Sequence, residues 1–263
     1  MASYRSIVIT GASGGIGTEL AKAFAAPGVS LALIARDESR LKPLAEVCRS
    51  AGASVAIAGI DVRDREALHA FLAAHDDAHP VDLLIANSGV TCGLGPDRSR
   101  ESDADAEWLA DVNYKGVVHT VSGLVERMRA RRKGRIVMMS SLAGMRGLPD
   151  MPSYSATKAA VIAYGESLRG WLRPFKVGVT VICPGFVTSP MSARHMGAKP
   201  FEISAAKAAR IIKRAAEWGL PFRAFPWPLA LGIRLSRLLP PWASDLFYMP
   251  MSADIERDPR ADL

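Results

Sequence analysis

Short apolar runs alternate with segments of helical spacing along most of this chain, and this alternation constrains the fold more than any other feature. The runs are rich in Val and Ile and cover residues 6–10, 29–35, 54–60, 82–87, 135–140, 177–183 and, as a seventh candidate, 222–225. Strands that are apolar throughout are expected when a parallel sheet is covered by helices on both sides. The pattern therefore predicts a doubly wound α/β fold with about seven parallel strands and helices on both faces.

The chain has 263 residues, a length that such a sheet and its helices can absorb, so we expect residues 1–263 to form one domain. The organisation changes after residue 188. Residues 188–200 have the loop-like composition of a lid, and residues 189–250 are predicted to form a substrate lid and an apolar, basic C-terminal extension. The polar residues 254–263 are expected to fray.

The start of the chain has none of the regions of a secretory signal, which predicts a cytoplasmic protein. The three cysteines lie far apart without a CxxC pair, so we expect neither disulfides nor a metal site.

The net charge is +7, and residues 192–240 hold nine basic residues against two acidic ones. No stacking or groove-reading motif accompanies them, so we expect no nucleic acid; an anionic membrane surface or substrate fits better.

A glycine-rich turn follows the first apolar run and precedes a helical pattern. It reads TGASGGIG over residues 10–17. Glycine permits positive φ and close approach of the backbone, and the N-terminus of the next helix offers N–H groups to a pyrophosphate. The turn predicts a dinucleotide site, the alternative being a tight connection that binds nothing.

The second apolar run ends in Arg36 and Asp37. An acidic residue at this point would normally accept hydrogen bonds from the adenosine ribose of NAD. Arg36 instead offers a guanidinium that can pair with the 2′-phosphate of NADP. We therefore expect NADP(H) in preference to NAD(H), with Ser13 and Arg40 as assistants; in the alternative, Arg36 is solvated and Asp37 takes the ribose.

Tyr154 and Lys158 stand four residues apart in a predicted helix at residues 153–173, and Ser141 precedes them. At this spacing the two side chains project from one helix face, so the ammonium can lie near the phenol. A nearby positive charge should lower the pKa of tyrosine from about 10 toward the range useful for acid–base catalysis. The three residues predict proton transfer to a carbonyl or from an alcohol.

These motifs resemble those of the short-chain dehydrogenase/reductase family, whose cofactor turn reads TGxxxGxG and whose active site contains YxxxK. Gly11, Gly15 and Gly17 match the turn, and the resemblance covers residues 5 to about 190. It implies a Rossmann-like fold and an NAD(P)-dependent oxidoreductase that interconverts a ketone and a secondary alcohol. The sugar-nucleotide-modifying branch of the family and an NADP-sensing or scaffold module without turnover remain alternatives.

The resemblance implies a role for each catalytic residue. Tyr154 gives a proton to the carbonyl oxygen, Lys158 holds the nicotinamide ribose and tunes Tyr154, and Ser141 orients the substrate oxygen. Ser140 competes for that last role, but the thirteen positions between Ser141 and Tyr154 match the family. Asn113 matches an asparagine that holds a water near the lysine, which completes a tetrad.

The remaining cofactor contacts rest on the resemblance. Residues 86–89 read ANSG where the family usually has NNAG, so Ala86 and Ser88 depart from the pattern. Residues 183–188 are similar to the family's PG motif. The residues expected at the cofactor are Gly11, Ser13, Gly15, Ile16, Gly17, Arg36, Asp61, Val62, Asn87, Gly89, Tyr154, Lys158, Pro184, Gly185, Val187 and Thr188.

In this family the stretch after the PG motif commonly covers the substrate, and here it contains Met191, Met196, Phe201 and Ile203. Flexible thioethers and aromatic rings suit a hydrophobic, lipid-like ligand such as a 3-keto compound. The alternative is that these residues pack the lid against the core.

Residues 225–249 combine leucines with arginines between tryptophans, and their apolar part is too short to span a bilayer. This composition is typical of an element in a headgroup interface, so we expect peripheral contact with an anionic membrane. A helix packed on the domain or on another subunit is the alternative. The helices predicted at residues 103–131 and 153–173 resemble the family's dimer-forming elements, which implies a homo-oligomer, a dimer or tetramer.

Overall fold

The structure is a computed structural model that describes residues 4–248, 254–256 and 258. Its centre is a sheet of seven parallel strands in the order β3-β2-β1-β4-β5-β6-β7. The strands are β1 Ser6–Thr10, β2 Ser30–Ala35, β3 Ser54–Gly59, β4 Leu83–Ala86, β5 Gly134–Met139, β6 Val177–Pro184 and β7 Phe222–Phe225. The predicted doubly wound parallel sheet is confirmed.

Helices connect the strands and cover both faces of the sheet. Along the described residues they are α1 Gly15–Phe24, α2 Lys42–Ser50, α3 Arg65–Ala78, α4 Asp103–Ala110, α5 Gly116–Ser122, α6 Val125–Ala130, α7 Leu142–Met145, α8 Pro152–Leu172, α9 Pro190–Ala193, α10 Ala205–Glu217, α11 Trp227–Ser236 and α12 Pro241–Tyr248. Short 3₁₀ turns occur at Glu38–Arg40, Pro96–Arg98 and Arg173–Phe175.

Burial on both faces explains why the strands are apolar throughout. In β1, Ile7 and Ile9 pack with Leu20 of α1 in one cluster, whereas Val8 packs with Leu68 of α3 in a second cluster. Successive strand residues point to opposite faces, so the two clusters lie on opposite sides of the sheet. Each fully buried aliphatic side chain contributes about 1.5–3 kcal/mol to folding.

The chain order reverses at β1, which lies between β2 and β4. In open parallel sheets, ligands bind at such a reversal, beyond the carboxyl ends of the strands. The turn after β1 and the loops after β4 and β5 all leave from this edge. The motifs of the sequence are therefore gathered at one place.

The helix predicted at residues 103–131 is interrupted. A π-helical turn at Asp111–Lys115 joins α4 to α5, and α6 begins only after a break at Gly123 and Leu124. Glycine is a poor helix former, and Gly123 also lets α5 approach Leu72 of α3, because a Cβ there would lie 2.6 Å from Leu72 Cδ1.

The expectation that residues 254–263 fray is wrong for those that are described. The amide of Met196 donates to the carbonyl of Asp254, and the amide of Glu256 donates to the carbonyl of Arg194, each at 2.9 Å. Asp258 is fully buried. Pairing with the lid (residues 188–200) supplies partners that a polar composition does not reveal. Residues 249–253, 257 and 259–263 lie outside the described residues.

Candidate active site

The turn after β1 has the geometry that its glycines predict. Gly11 has a φ of +65°, a left-handed conformation that other residues rarely adopt. A Cβ on Gly17 would lie only 2.2 Å from the Gly11 carbonyl oxygen, so α1 packs directly on the turn. Gly14 precedes α1 and supplies no side-chain hydrogen bond to its first turn. A helix N-terminus without a side-chain cap suits a pyrophosphate, so the turn fits a dinucleotide.

Asn87 holds this turn in place. Its Nδ2 donates to the carbonyls of Thr10 and Gly11, each at 3.1 Å. Its backbone amide also donates to Thr10 Oγ1 at 3.1 Å. Asn87 therefore ties the loop after β4 to the glycine turn, and it lines the same cleft.

Arg36 and Asp37, which follow β2, have different surroundings. The Asp37 carboxylate accepts from the amide of Ser39 at 2.9 Å and from its hydroxyl at 2.5 Å, and these bonds lower the pKa of Asp37. Arg36 lines the cleft. Arg40 Nη2 lies 3.5 Å from the carbonyl oxygen of Ser13. The two residues predicted to help Arg36 bind the cofactor therefore lie together at the same end of the cleft as Arg36.

Asp61 follows β3 beside Arg36. Burial raises the pKa of the Asp61 carboxyl, but hydrogen bonds from Arg63 and the charge of Arg36 outweigh that effect and lower the pKa. Arg63 Nη2 lies 2.8 Å from Asp61 Oδ2. Asp61 and its buried neighbour Val62 both line the cleft, at the end where an adenosine would lie.

The structure brings Tyr154, Lys158 and Ser141 together on one wall of the cleft. Lys158 Nζ lies 5.7 Å from the centroid of the Tyr154 ring and donates to the carbonyl of Met139 at 3.2 Å. Ser141 begins α7, where its Oγ accepts from the amide of Ala143 at 3.1 Å. Ser141 Oγ also lies 3.5 Å from the carbonyl oxygen of Pro184, to which it donates, and its interaction with Tyr154 lowers the pKa of that phenol.

The pKa of Tyr154 shifts in the direction opposite to our expectation. Burial raises it, and the hydrogen bond with Ser141 opposes this rise only in part. Burial also lowers the pKa of Lys158 to about 8. The prediction that Lys158 lowers the pKa of Tyr154 is wrong in this structure, because desolvation is the largest effect and the ammonium lies by the ring.

Ser140 and Ser141 have different partners. Ser140 Oγ donates to the backbone carbonyl of Lys158 at 2.7 Å, which fixes α8 against the end of β5. Ser140 also forms a hydrogen bond with Cys183, whose pKa burial raises to about 12, so this thiol stays protonated. The hydroxyl that meets Tyr154 is that of Ser141.

Asn113 lies in the π-helical turn and is fully buried. Its Oδ1 accepts from the amide of Val90 at 2.8 Å, and its Nδ2 donates to the carbonyl of Val90 at 3.0 Å. A Cβ on Gly89 would lie 3.2 Å from Lys158 Nζ and 3.3 Å from Asn113 Oδ1. Asn113 and Lys158 therefore flank Gly89, and a π turn at such a position is common in functional sites.

The PG motif ends β6 and turns toward the lid. The amide of Gly185 donates to the carbonyl of Phe225 at 2.7 Å, and Val187 pairs with Ile203. Thr188 is exposed, and its hydroxyl donates to the carbonyl of Ile203 at 3.4 Å. This hydroxyl thus faces the base of the lid.

One continuous cleft of about 930 Å³ runs past the glycine turn, the end of β2 and Tyr154. Every predicted catalytic and cofactor residue lines it except Asn113, which lies behind Gly89 and Val90, and Thr188. The glycine turn forms one end, Tyr154 lies on the wall, and the lid and α11 form the other end.

The substrate end differs from the expectation. Met191 lines the cleft, but Met196 is 70% exposed, Phe201 is exposed, and Ile203 packs in the core. The pairing of Ile203 with Val187 and of the lid with residues 254–256 decides which side chains face inward. Sequence reasoning missed the lining residues of α11, the following turn and the C-terminus, which are Pro228, Leu229, Gly232, Ile233, Leu235, Ser236, Leu239, Ile255 and Asp258.

A weak signal for α11 was present in the sequence. Leu229 and Ile233 are four positions apart, as are Leu235 and Leu239, the spacing of one helix face. No comparable signal marks Ile255. Among the described residues, no helix is both long enough and apolar enough to cross a membrane.

Comparison with known proteins agrees with this geometry. The family model "short chain dehydrogenase" matches residues 5–199. An uncharacterised oxidoreductase of Myxococcus xanthus is 35% identical, over 90% of this chain and 94% of its own length. A short-chain dehydrogenase/reductase of Burkholderia phymatum solved with NAD has a TM-score of 0.81 at 26% identity, covering 90% of this chain and 95% of that one. A metagenomic short-chain oxidoreductase solved with NADP has a TM-score of 0.70 at 27% identity, covering 81% and 90%.

Proposed function

Because the chain belongs to the short-chain dehydrogenase family, whose members act on CH–OH donors with a nicotinamide cofactor, we propose that it interconverts a ketone and a secondary alcohol with NADP(H). Tyr154 is the acid–base group. The observation that carries this proposal is the grouping of Tyr154, Ser141 and Lys158 on one wall of the cleft that begins at the glycine turn.

The bound cofactor supplies or accepts the hydride. Tyr154 donates its hydroxyl proton to the substrate oxygen during reduction and takes it back during oxidation. The raised pKa keeps this hydroxyl protonated near neutral pH, which is the form that reduction needs. Ser141, whose hydroxyl interacts with Tyr154, orients the substrate oxygen beside it.

Lys158 and Asn113 support the tyrosine. With a pKa of about 8, Lys158 is mainly protonated at pH 7, so its ammonium can hold the nicotinamide ribose. Asn113 positions the backbone of Val90, next to Gly89 and Lys158. Asn113 acts through these neighbours, because it does not line the cleft.

A preference for NADP(H) is supported by the partners at the end of β2. Asp37, the residue that would take the ribose of NAD, already accepts two hydrogen bonds from Ser39. Arg36 lies at the adenosine end of the cleft, where its charge reaches Asp61. A guanidinium there can pair with the additional phosphate of NADP.

A hydrophobic ketone, such as a 3-keto lipid, fits the other end of the cleft. Leu229 and Ile233 of α11 line it, together with Met191 of the lid. Leu235 and Leu239 line the cleft and are also 56% and 42% exposed, so they border its mouth. A substrate with an apolar chain would leave water for an apolar wall, which is favourable.

The segment that borders the mouth through Leu235 and Leu239 carries several exposed apolar side chains. These side chains, here called the exposed apolar patch, are Trp227, Leu231, Leu235, Leu238, Leu239, Trp242 and Leu246. Arg234 and Arg237 lie in the same segment. Exposed apolar side chains with arginines are typical of surfaces that meet anionic lipid headgroups. Peripheral membrane contact would bring a lipid-like substrate directly to the mouth.

The Tyr154→Phe variant tests the proposed reaction. It removes the hydroxyl, so kcat for NADPH-dependent reduction of a ketone should fall at least about 100-fold, the lower range for general acid catalysis. NADPH affinity, measured by fluorescence titration, should change little. Tyr164→Phe, on the same helix and away from the cleft, is the matched control and should keep wild-type turnover. Unchanged turnover in Tyr154→Phe would refute the mechanism.

A further inference from the structure

The C-terminal residues 254–256 and 258, here called the C-terminal strap, run along the substrate end of the cleft. Two backbone hydrogen bonds join the strap to residues 194 and 196 of the lid, and His195 pairs with Ile255 in an antiparallel bridge. Ile255 and Asp258 line the cleft itself. The strap is therefore part of the wall that a substrate would meet.

Ile255 also contacts the loop after β4. A Cβ on Gly93 would lie 2.6 Å from Ile255 Cγ1 and 2.7 Å from the carbonyl oxygen of Asp150. The side chain of Ile255 thus packs against bare backbone in the loop after β4. Since its backbone pairs with the lid, Ile255 joins the lid to the loop after β4 at the substrate end of the cleft.

An ion pair holds the strap to the lid. Arg194 Nη2 lies 2.7 Å from Asp258 Oδ2, with the two side chains 12% and 0% exposed. Removing one partner of a buried pair leaves an uncompensated charge, which is far more costly than losing an exposed pair. Asp258 should therefore control whether the strap stays in contact with the lid.

We propose that the C-terminal strap closes the substrate end of the cleft and sets the length of substrate that the enzyme accepts. Ile255 is the specificity-determining side chain, and the Arg194–Asp258 ion pair keeps it in place. The kinetic test of this inference rests on the proposed ketone reduction; a second test does not.

The kinetic test compares 2-butanone, 2-octanone and 2-dodecanone as substrates with NADPH. Ile255→Ala lengthens the cleft, so the ratio of kcat/KM for 2-dodecanone to that for 2-butanone should rise about tenfold, the effect of one to two methylene groups in an apolar pocket. Ile255→Trp should lower this ratio. Glu256→Gln, whose side chain is exposed on the same strap, should leave it unchanged. Equal ratios in all four proteins would overturn the proposal.

Hydrogen exchange tests the strap without any substrate. In Asp258→Asn, the amides of Met196 and Glu256 should exchange at least about tenfold faster than in the wild type, because local opening becomes easier. The amide of Thr188, bonded to Ile203 instead, serves as the internal control. Unchanged exchange at both amides would overturn the role of the ion pair. If the wild type reduced none of the ketones, the proposed function would be wrong. The hydrogen-exchange test would still show whether the ion pair holds the strap against the lid.

Discussion

Several polar side chains at the site act mainly on the backbone. Asn87 holds the glycine turn, Asn113 holds Val90, and Ser140 holds α8 through the carbonyl of Lys158. Each satisfies buried backbone groups whose isolation would cost about 1–3 kcal/mol. Tyr154 and Ser141 line the cleft and carry the hydroxyls that we propose to meet a substrate, and Lys158 is a buried amine beside them.

The depressed pKa of Lys158 predicts a pH-dependent cost to stability. Below about pH 8 the amine is protonated in both folded and unfolded chains, and its burial destabilises the fold. As the pH rises from about 8 to 10.5, only the unfolded chain keeps the proton, so wild-type stability should rise. We expect Lys158→Met to be more stable than the wild type by about 2 kcal/mol at pH 7, a difference that shrinks through this window.

Urea unfolding from pH 7 to 10 measures this difference. Lys42→Met, which changes an exposed lysine, is the control and should follow the wild-type curve. If Lys158→Met and the wild type gave parallel curves, the buried-amine explanation would be wrong.

Arg36 should determine the choice between the two cofactors. Loss of a charge-assisted hydrogen bond costs about 1.5–3 kcal/mol, so Arg36→Ala should raise KM for NADPH about 10- to 100-fold and leave KM for NADH nearly unchanged. Steady-state kinetics with both cofactors measures this. Arg65→Ala, exposed and outside the cleft, is the matched control. Equal effects on both cofactors would instead assign Arg36 a role in folding.

At the scale of elements, α8 carries the proposed catalytic pair and also packs closely on the sheet. It carries Tyr154 and Lys158 near its beginning, and Gly165 brings its middle onto β5 and β6, since a Cβ there would lie 2.3 Å from Val181 Cγ2 and 2.7 Å from Met138 Cε. A displacement of α8 would also displace the catalytic pair.

Two glycines of α8 provide a matched pair of substitutions that tests how closely this helix packs on the sheet. Gly165→Ala should destabilise the protein by about 1–3 kcal/mol through overpacking. Gly170→Ala faces open space on the same helix and should stabilise it by about 0.5–1 kcal/mol, because alanine favours helices. Thermal and urea unfolding would measure both variants. Stabilisation by both would show that α8 has room to move away from the sheet.

At the scale of the whole molecule, α11 joins the cleft to the surface. One face of this helix lines the substrate end, while Trp227 and Leu231 belong to the exposed apolar patch. The patch continues through α12, where Trp242 is 72% exposed.

Membrane contact predicts selective binding to vesicles. Wild-type protein should co-sediment with vesicles of phosphatidylglycerol and phosphatidylcholine more than with phosphatidylcholine alone, and salt should weaken the binding. Trp227→Gln combined with Trp242→Gln should abolish it, whereas Trp218→Gln, which changes an exposed tryptophan outside the patch, should not. Equal binding by the double variant would contradict the proposal. If the wild type sediments as a dimer and the double variant as a monomer, the patch is instead the contact with a second copy of the chain.

The sequence by itself determined the parallel sheet, the glycine turn after β1 and the grouping of Tyr154 with Lys158. These depend on periodicity and on spacings of a few residues, which survive in any environment. Only the tertiary structure decided that Thr188 faces the lid, that Met196 and Phe201 are exposed, and that burial raises the pKa of Tyr154. Such outcomes depend on groups distant in the chain, as with Arg194 and Asp258, 64 positions apart. Desolvation and long-range pairing arise only when the fold brings such groups together.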